Sequence, residues 1–262
     1  MSATLYTNPT ISKTIGNLQT RSVKCRTHIM FNVLWSTFTN YTNMYIRAAT
    51  RYQPDLNQTE LDFRETAIDL GKNLDQTLQQ SNLPHKISTR NESVFATLMT
   101  SLKQDNPTTF SQVGSRFNTR NLTAGLLLTL LLEEHITLLK RYIQAVMQGQ
   151  GTQSSLRAEL TQNANNIVKL YLKVSKWKGQ DVHKNGEQVF GQYLADIVDH
   201  VAEESRKDYG SSNRVNTRLQ NNSLCLADYF YKVTQGTDPY SLMDSGCSYN
   251  QGVVEFTEES DF

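Results

Sequence analysis

Apolar side chains recur at helical spacing along most of this chain, and the strongest such pattern covers residues 122–147. On a helix with about 3.6 residues per turn, polar side chains such as Glu133 and Lys140 lie mostly off one apolar stripe. That stripe consists of Leu128, Leu131, Leu132, His135, Leu138, Leu139, Tyr142 and Val146. The pattern therefore predicts a helix that carries a histidine, His135, on its buried face.

The same periodicity predicts helices on both sides of this segment. An aromatic stripe over residues 31–52 ends before Pro54, because the residue preceding a proline disfavours helical backbone angles. A second helix over 57–78 has Thr59 as its expected N-cap, and a shorter one is predicted over 92–103. Residues 104–119, which include Pro107 and Gly114, are predicted to form a loop.

Three further helices are predicted after residue 151. They cover residues 160–174, 187–206 and 213–234, and they are separated by a polar segment over 177–186 and by Gly210 with its two following serines. Gly236 is the expected C-terminal cap of the last helix. No segment alternates apolar and polar residues with comparable strength, so the chain is predicted to be all-α, a single bundle of about six or seven helices. We place the bundle at residues 28–236, between an irregular basic arm (1–27) and an acidic tail (237–262).

Composition supports a globular protein with a sizeable core. Hydrophobic residues make up 38% of the 262 positions and the mean hydropathy is -0.51. The longest apolar stretch, residues 122–132, is too short to span a bilayer. The first residues lack the pattern of a signal peptide, so we expect a cytoplasmic protein, or a virion protein if the source is viral. Cys25, Cys225 and Cys247 are far apart, which supports neither a disulfide framework nor a zinc finger.

Charge is distributed unevenly along the chain, although the net charge is only +1. Residues 1–54 contain six basic residues and no acidic one, whereas residues 237–262 contain six acidic residues and no basic one. The basic set is Lys13, Arg21, Lys24, Arg26, Arg47 and Arg51, and the acidic set is Asp238, Asp244, Glu255, Glu258, Glu259 and Asp261. These segments can pair with each other, within a chain or between chains, or bind outside partners. Nucleic acid is an unfavoured partner, because the basic residues form no dense face with interleaved aromatic residues.

A buried histidine must be hydrogen-bonded, charged against a partner or bound to a metal, so His135 is the main candidate for a functional residue. One interpretation is a core polar network in which His135, Asn163 and Asn222 each interrupt an apolar stripe and bond to one another. The alternative is a divalent transition-metal site formed by His135 together with Asp196, His200 and Glu204, which are spaced by four along one predicted helix.

Motifs of the common catalytic classes do not occur in this sequence. It has no GxSxG elbow, no Walker loop, no GxGxxG after a strand and no HExxH. The close pair of Cys25 and His28 has no activated geometry by itself, and His85 and His183 are predicted to lie in solvent-facing loops. The sequence therefore favours a protein that is not an enzyme, and no catalytic residue is assigned.

The order of several short motifs resembles a group of uncharacterised bacterial all-helical proteins. Those proteins carry an EHI-type helix, an NADxIA-type helix, a later helix with a histidine and a MAD-type final helix. The matching segments here are LEEHI at 132–136, NANNI at 163–167, the segment around His200, and LADYF at 226–230. The resemblance covers roughly residues 30–235 and implies a helical bundle.

This chain departs from that pattern at three polar positions. Phe38 stands where the family has a histidine, Asn165 replaces a carboxylate, and Asn221 or Asn222 replaces a histidine of the last helix. The resemblance therefore implies a retained fold with a decayed polar or metal site, and it transfers no activity. We expect a non-enzymatic interaction or structural protein without a cofactor, including an assembly or viral particle component. Its contact elements would be the basic arm and the acidic tail. The alternative function is a metal-binding bundle with ferritin-like or hemerythrin-like chemistry.

Overall fold

The computed structural model describes residues 23–81, 83, 123–175 and 180–235, with side chains from residue 27 in the first helix and from residue 183 in the fifth. These residues form six helices and no β-strand, which confirms the all-α prediction. In chain order the helices are α1 (Val23–Thr50), α2 (Leu56–Gln80), α3 (Ala124–Met147), α4 (Gln153–Val174), α5 (Gln180–Ser205) and α6 (Tyr209–Gln235).

The six helices close into a ring. Each helix packs against the next one in sequence, and α6 packs back against α1. Near the start of α1, His28 lies 3.2 Å from Asp228 of α6, whereas near its end Arg51 contacts Glu204 of α5. Helix α1 therefore runs antiparallel to α6 and parallel to α5, as in an up-and-down bundle.

The two ends of this bundle differ in their connections. At one end, the turn end, short connections over residues 51–55, 148–152 and 206–208 join successive helices. At the other end, the open end, α1 begins and α6 ends. None of the described helices contains an apolar stretch long enough to cross a membrane.

An aromatic cluster fills the middle of the ring. Trp35 of α1 and Tyr171 of α4 both stack on Phe230 of α6, with ring centroids 5.1 Å and 3.9 Å away. Phe190 of α5 packs edge-on against Trp35, 6.4 Å away. Because these large side chains are almost completely buried, the interior of the bundle is a packed apolar core.

The α2–α3 interface depends on two facing glycines. A Cβ atom built on Gly71 would lie 2.1 Å from the Thr129 hydroxyl oxygen and 2.4 Å from the backbone oxygen of Gly125. Nearby, Asp75 accepts the backbone N–H of Gly125 at 2.8 Å and the Thr123 hydroxyl at 2.7 Å, which satisfies the N-terminus of α3. The leucine helix is therefore fixed to α2 by a close backbone approach and a shared cap.

Several predicted boundaries differ from the structure. Residues 180–186 were predicted to be irregular, but α5 begins at Gln180, and Gly186 lies inside it against Tyr229 and Val168. A glycine in this helix therefore serves close packing and does not end the helix. Likewise, Gly210 does not terminate a helix: α6 begins at Tyr209, after Asp208 accepts the backbone N–H of Ser211 at 3.0 Å.

Two helix starts also differ from the sequence-based expectation. Helix α1 begins at Val23, inside the segment that was predicted as an irregular arm. Helix α2 begins at Leu56 after Asp55, so Thr59 is a buried residue of the first turn and not the N-cap. The predicted helix over 92–103, the loop over 104–119, His85 and the Gly236 cap lie outside the described residues.

Candidate functional site

His135 lies on α3 and forms a polar pair with Asn163 of α4. Its ring is 1% exposed, and its Nδ1 lies 3.0 Å from Asn163 Oδ1. The Asn163 amide donates to the backbone oxygen of Leu131 at 3.0 Å and to Glu134 Oε2 at 2.7 Å. Both amide hydrogens are thereby used, so Oδ1 must accept, and His135 must carry its proton on Nδ1.

The other ring nitrogen of His135 faces the apolar core. Nε2 is buried and has no hydrogen-bond partner, and the ring packs edge-on against Phe190 with a centroid distance of 6.1 Å. Burial lowers the pKa of His135 to about 4, although the hydrogen bond to Asn163 acts in the opposite direction. At neutral pH this side chain is therefore an uncharged imidazole that joins α3 to α4.

Helix α5 carries the second set of candidates as a buried row. Asp196, His200 and Glu204 are 0%, 0% and 2% exposed, so the row does not form a solvated helix edge. At the centre of the row, His200 Nε2 lies 2.5 Å from Asn43 Oδ1 of α1, and its Nδ1 lies 3.2 Å from the Ser212 hydroxyl of α6. His200 therefore links three helices near the turn end.

Glu204 is the electrostatic centre of this region. Arg51, directly after α1, donates to both carboxylate oxygens, from Nε at 2.9 Å and from Nη2 at 3.0 Å, and Arg47 Nε lies 3.5 Å from Oε1. The Ser212 hydroxyl also donates to Glu204. A bidentate arginine contact is the strong form of such a pair, so this buried carboxylate is well compensated.

The electrostatics of His200 follow from these neighbours. Burial lowers its pKa to about 4; Glu204 raises the pKa, while Arg47 and Arg51 lower it. The ring is therefore neutral at pH 7. Because Ser212 donates its only hydroxyl proton to Glu204, the neutral ring must donate from Nδ1 to Ser212. Its Nε2 then carries no proton and cannot donate to Asn43 Oδ1, so the chain of hydrogen bonds of the neutral ring runs through Ser212 to Glu204.

The grouping of serine, histidine and glutamate does not have the order of a hydrolytic triad. In such a triad the histidine lies between the carboxylate and the hydroxyl, whereas here the Ser212 hydroxyl lies between His200 and Glu204. Ser212 is also 0% exposed, so a substrate cannot reach it in this packing. The arrangement can fix the relative positions of α1, α5 and α6, and it has no geometry for acyl transfer.

The structure contains two polar centres, the pair of His135 with Asn163 and the row on α5, and the remaining candidates belong to the second. Asp196 accepts from Arg218 Nε at 3.1 Å and from the Asn222 amide at 2.5 Å. Asn222 is therefore bonded within the α5–α6 row, and the structure does not join it to His135 and Asn163 as the core-network interpretation expected. An asparagine that interrupts an apolar stripe can bond to either neighbouring helix, and helical spacing alone does not distinguish them.

The four residues of the metal alternative also separate. His135 bonds to α4, whereas the partners of Asp196, His200 and Glu204 lie on α1 and α6. Within residues 23–81, 123–175 and 180–235, no group of three or more His, Cys, Asp or Glu side chains could hold a metal ion. The carboxylates of the row are instead bound by arginines and amide groups.

The partners of the α5 row were not predicted from the sequence. Asn43, Arg47 and Arg51 follow one another at intervals of four at the end of α1, the same spacing as Asp196, His200 and Glu204. Two helices with complementary rows at equal spacing could have been paired on that basis. Ser212 had no such signal, because it was assigned to a helix-ending segment.

The other described histidines, and Phe38 among the positions that depart from the bacterial pattern, contact other side chains of the bundle. His28, which follows Cys25, is buried, stacks on Tyr231 with a centroid distance of 4.4 Å and lies 3.2 Å from Asp228. His183 is part of α5 and not of a loop, and it lies 3.5 Å from Glu187. Phe38 is 1% exposed in the aromatic core.

No protein-family model matches this chain, and neither a curated protein nor a solved structure shows significant similarity to it. The resemblance to uncharacterised bacterial helical proteins therefore stays a hypothesis. Over the part of the chain that the structure describes, the class is a closed ring of six helices with polar side chains paired inside it.

Proposed function

We propose that this protein is a non-enzymatic interaction or structural protein, in which a closed helical bundle presents a basic arm and an acidic tail as contact elements. The observation that carries the proposal is the position of the two helix ends from which the arm and the tail continue. α1 begins and α6 ends side by side at the open end, where His28 lies 3.2 Å from Asp228 and stacks on Tyr231. The two segments of opposite charge therefore leave the bundle from neighbouring helices.

The interior of the bundle supports a scaffold role. His135 is bonded to Asn163, Asp196 to Arg218, and Glu204 to Arg51. Buried polar groups satisfied in this way fix the register of helices and stabilise one arrangement. A rigid bundle with charged extensions suits a component of a larger assembly, such as a viral particle.

The charge available to partners is smaller than the sequence total suggests. Of the six basic residues in residues 1–54, Arg47 and Arg51 both contact Glu204. The basic residues outside this contact are Lys13, Arg21, Lys24 and Arg26, all within the arm. Partner binding through the arm would therefore depend on those four residues.

Neutralising the tail tests this function. The variant Glu255→Gln/Glu258→Gln/Glu259→Gln should change the average mass of the full chain in sedimentation at low salt, or its capture of proteins from an extract of its own source. The matched control is Asp55→Asn/Glu65→Gln/Asp69→Asn, which removes three exposed carboxylates from the bundle. Unchanged behaviour of the tail variant in both measurements would overturn the proposal.

A further inference from the structure

We propose that the arginine–tyrosine patch at the turn end, which consists of Arg47, Arg51, Tyr52 and Tyr209, binds the acidic tail of a second copy of this chain. The inference rests on the proposed function, because it requires the tail to be a contact element. It adds the surface that receives the tail, and it names the partner as another molecule of the same protein.

Contacts around Arg51 hold the patch together. The Arg51 guanidinium lies over the Tyr209 ring, 4.3 Å from its centroid, and donates to the Glu204 carboxylate. Arg47 Nε lies 3.5 Å from the same carboxylate, and Tyr52 follows Arg51 directly in the chain. The patch therefore joins the end of α1 to the start of α6, with both tyrosines exposed.

Exposed large hydrophobic side chains are concentrated around this patch. Among the residues that the structure describes, they are Met44, Leu61, Tyr52 and Tyr209. Met44 lies within about two turns of the end of α1, and Leu61 lies within about two turns of the start of α2. All four are therefore near the turn end, and a concentration of exposed apolar surface marks an interaction site.

Tyr52 has a backbone conformation that stability alone would assign to glycine. Its φ is 54°, in the left-handed region, and the N–H of Gln53 donates to the backbone oxygen of Ala48 at 2.9 Å, so Tyr52 is the residue after the C-cap in a Schellman motif. Gly149, with a φ of 62°, has the corresponding position after α3. Because Tyr52 is 79% exposed, its side chain gains little from packing inside this bundle. A contact with another molecule accounts for a tyrosine at this position.

Two arginines share one carboxylate at the patch. Arg47 and Arg51 both contact Glu204, which is 2% exposed, while their own side chains are 29% and 33% exposed. Burial is the main cause of the low pKa of His200, and both arginines lower that pKa further, whereas Glu204 raises it. A second carboxylate, supplied by a partner, would complete the neutralisation of the pair.

The other charges at the turn end balance one another. Residues 47–55 and 203–214 contain five basic and four acidic residues. Apart from the arginine pair and Glu204, three basic and three acidic residues remain, and among them Glu203 lies 3.5 Å from Arg206. The excess positive charge of this end therefore belongs to the arginine pair.

The sequence of the tail is complementary to the patch. Residues 253–262, VVEFTEESDF, combine apolar and acidic side chains and contain no basic one. Glu255, Glu258 and Glu259 supply carboxylates for the arginines, and Phe256 supplies an aromatic ring for the exposed tyrosines. The basic arm, in contrast, has the same sign of charge as the arginines.

The length of α6 favours the tail of another molecule over the tail of the same one. The helix runs from Tyr209 to Gln235, so its 27 residues carry the chain about 40 Å away from the patch. Glu255 follows Gln235 by 20 residues, and a random chain of that length has a root-mean-square span of only about 22–27 Å. Contacts between molecules therefore run from the tail of one copy to the turn end of the next.

Mixing two variants tests this contact. The tail variant Glu255→Gln/Glu258→Gln/Glu259→Gln keeps the patch, whereas Tyr52→Gly keeps the tail and adopts the left-handed backbone without strain. In sedimentation of the full chain at low salt, we expect the average mass of the parent protein to rise with concentration above 29.8 kDa. Each variant alone should raise the Kd of self-association by about 10-fold or more. The equimolar mixture should recover the parental Kd but form only pairs, because each pair has one neutral tail and one altered patch left over.

Tyr52→Phe is the matched control, because it keeps the ring and the strained backbone and should keep the parental Kd. A parent protein that stays at the mass of one chain, or a mixture that stays at that mass while the parent associates, would overturn the inference. Loss of association in the tail variant together with the parental Kd in Tyr52→Gly would also overturn it, since the tail would then bind another surface. The proposed function survives that last result, and it fails only if the tail variant is unchanged in both mass and capture.

Discussion

At the scale of single residues, the two buried histidines are polar groups whose charged form the bundle disfavours. His135 and His200 both have a pKa lowered to about 4, in each case chiefly by burial. Each nevertheless makes a hydrogen bond that links helices, to Asn163 for His135 and to Ser212 for His200.

This property predicts a specific pH dependence of stability. An unfolded histidine titrates near pH 6.5, so between pH 6.5 and 4 the unfolded chain binds more protons than the folded one. The contribution of each histidine is therefore complete above about pH 6.5 and is lost as the pH falls towards 4. It amounts to at most about 3 kcal/mol per histidine, because each pH unit between about 6.5 and 4 corresponds to about 1.4 kcal/mol.

The measurement is urea unfolding of the full chain at pH 7.5, 6 and 5. Replacing His200 by Gln keeps a polar side chain but removes one titration, so the loss of unfolding free energy between pH 7.5 and 5 should become smaller. His183→Gln is the control, because that side chain is 33% exposed. An equal pH slope for the His200 variant and the parent protein would contradict the assignment.

The hydrogen bond between His135 and Asn163 predicts a non-additive mutational effect. Asn163→Leu leaves His135 Nδ1–H buried without its acceptor, which costs about 2–4 kcal/mol when the desolvated donor and the altered packing are combined. The double variant Asn163→Leu/His135→Phe removes both polar groups and should cost less than the sum of the single changes. Urea unfolding of the four proteins gives the coupling energy, and strictly additive effects would show that the pair is not coupled.

At the scale of helices, the predictable part of the fold was the set of buried stripes, and the unpredictable part was the role of glycine. Periodicity located the body of α3 within two residues of its observed start, because Leu128, Leu131 and Leu132 all face one core. It failed at Gly186 and Gly210, where the same residue type marks close packing in one case and the first turn of a helix in the other. Which role a glycine has depends on the helix that packs against it.

The pairing of polar residues was predictable to a similar extent. The apolar stripe indicated that His135 and Asn163 were buried, and the two helices are consecutive in sequence, which favours contact. Asn222 bonds to Asp196 instead, because the order of helices around the ring brings α6 beside α5 and α1. Single-sequence periodicity gives the face of a residue but not the neighbour that the face meets.

Gly71 provides the element-scale prediction. Gly71→Ala would place a methyl group 2.1 Å from the Thr129 hydroxyl oxygen and 2.4 Å from the Gly125 backbone, so α2 and α3 must separate. We expect a loss of about 3 kcal/mol or more, measured by urea unfolding, because overpacking against backbone cannot be relieved by a rotamer change. Gly191→Ala in α5 is the control, since its added Cβ meets nothing within 4 Å. That control should stabilise the protein by about 0.5–1 kcal/mol through helix propensity.

At the scale of the whole molecule, the ring is closed by contacts between α1 and its partners at both ends. His28 contacts Asp228 and Tyr231 of α6 at the open end, and Arg51 contacts Glu204 of α5 at the turn end. The aromatic cluster around Trp35 and Phe230 lies between them. Since each helix depends on two neighbours for burial, loss of any one helix exposes apolar surface on both sides of it.

A closed ring of this kind predicts that the bundle unfolds as one cooperative unit. Glu204→Gln removes the charge that compensates Arg47 and Arg51, and breaking such a buried pair costs about 3–5 kcal/mol. If the ring is cooperative, this change at the turn end must lower the urea midpoint by the same amount for two probes. One probe is far-UV circular dichroism, and the other is the exchange protection of amides near Trp35 and Phe230, in the middle of the bundle. Glu203→Gln, next in sequence and 3.5 Å from Arg206 at the surface, is the matched control and should change stability by less than about 1 kcal/mol. Separate transitions for the two probes in the Glu204 variant would mean that the turn end unfolds independently, and that closure of the ring does not couple the two ends.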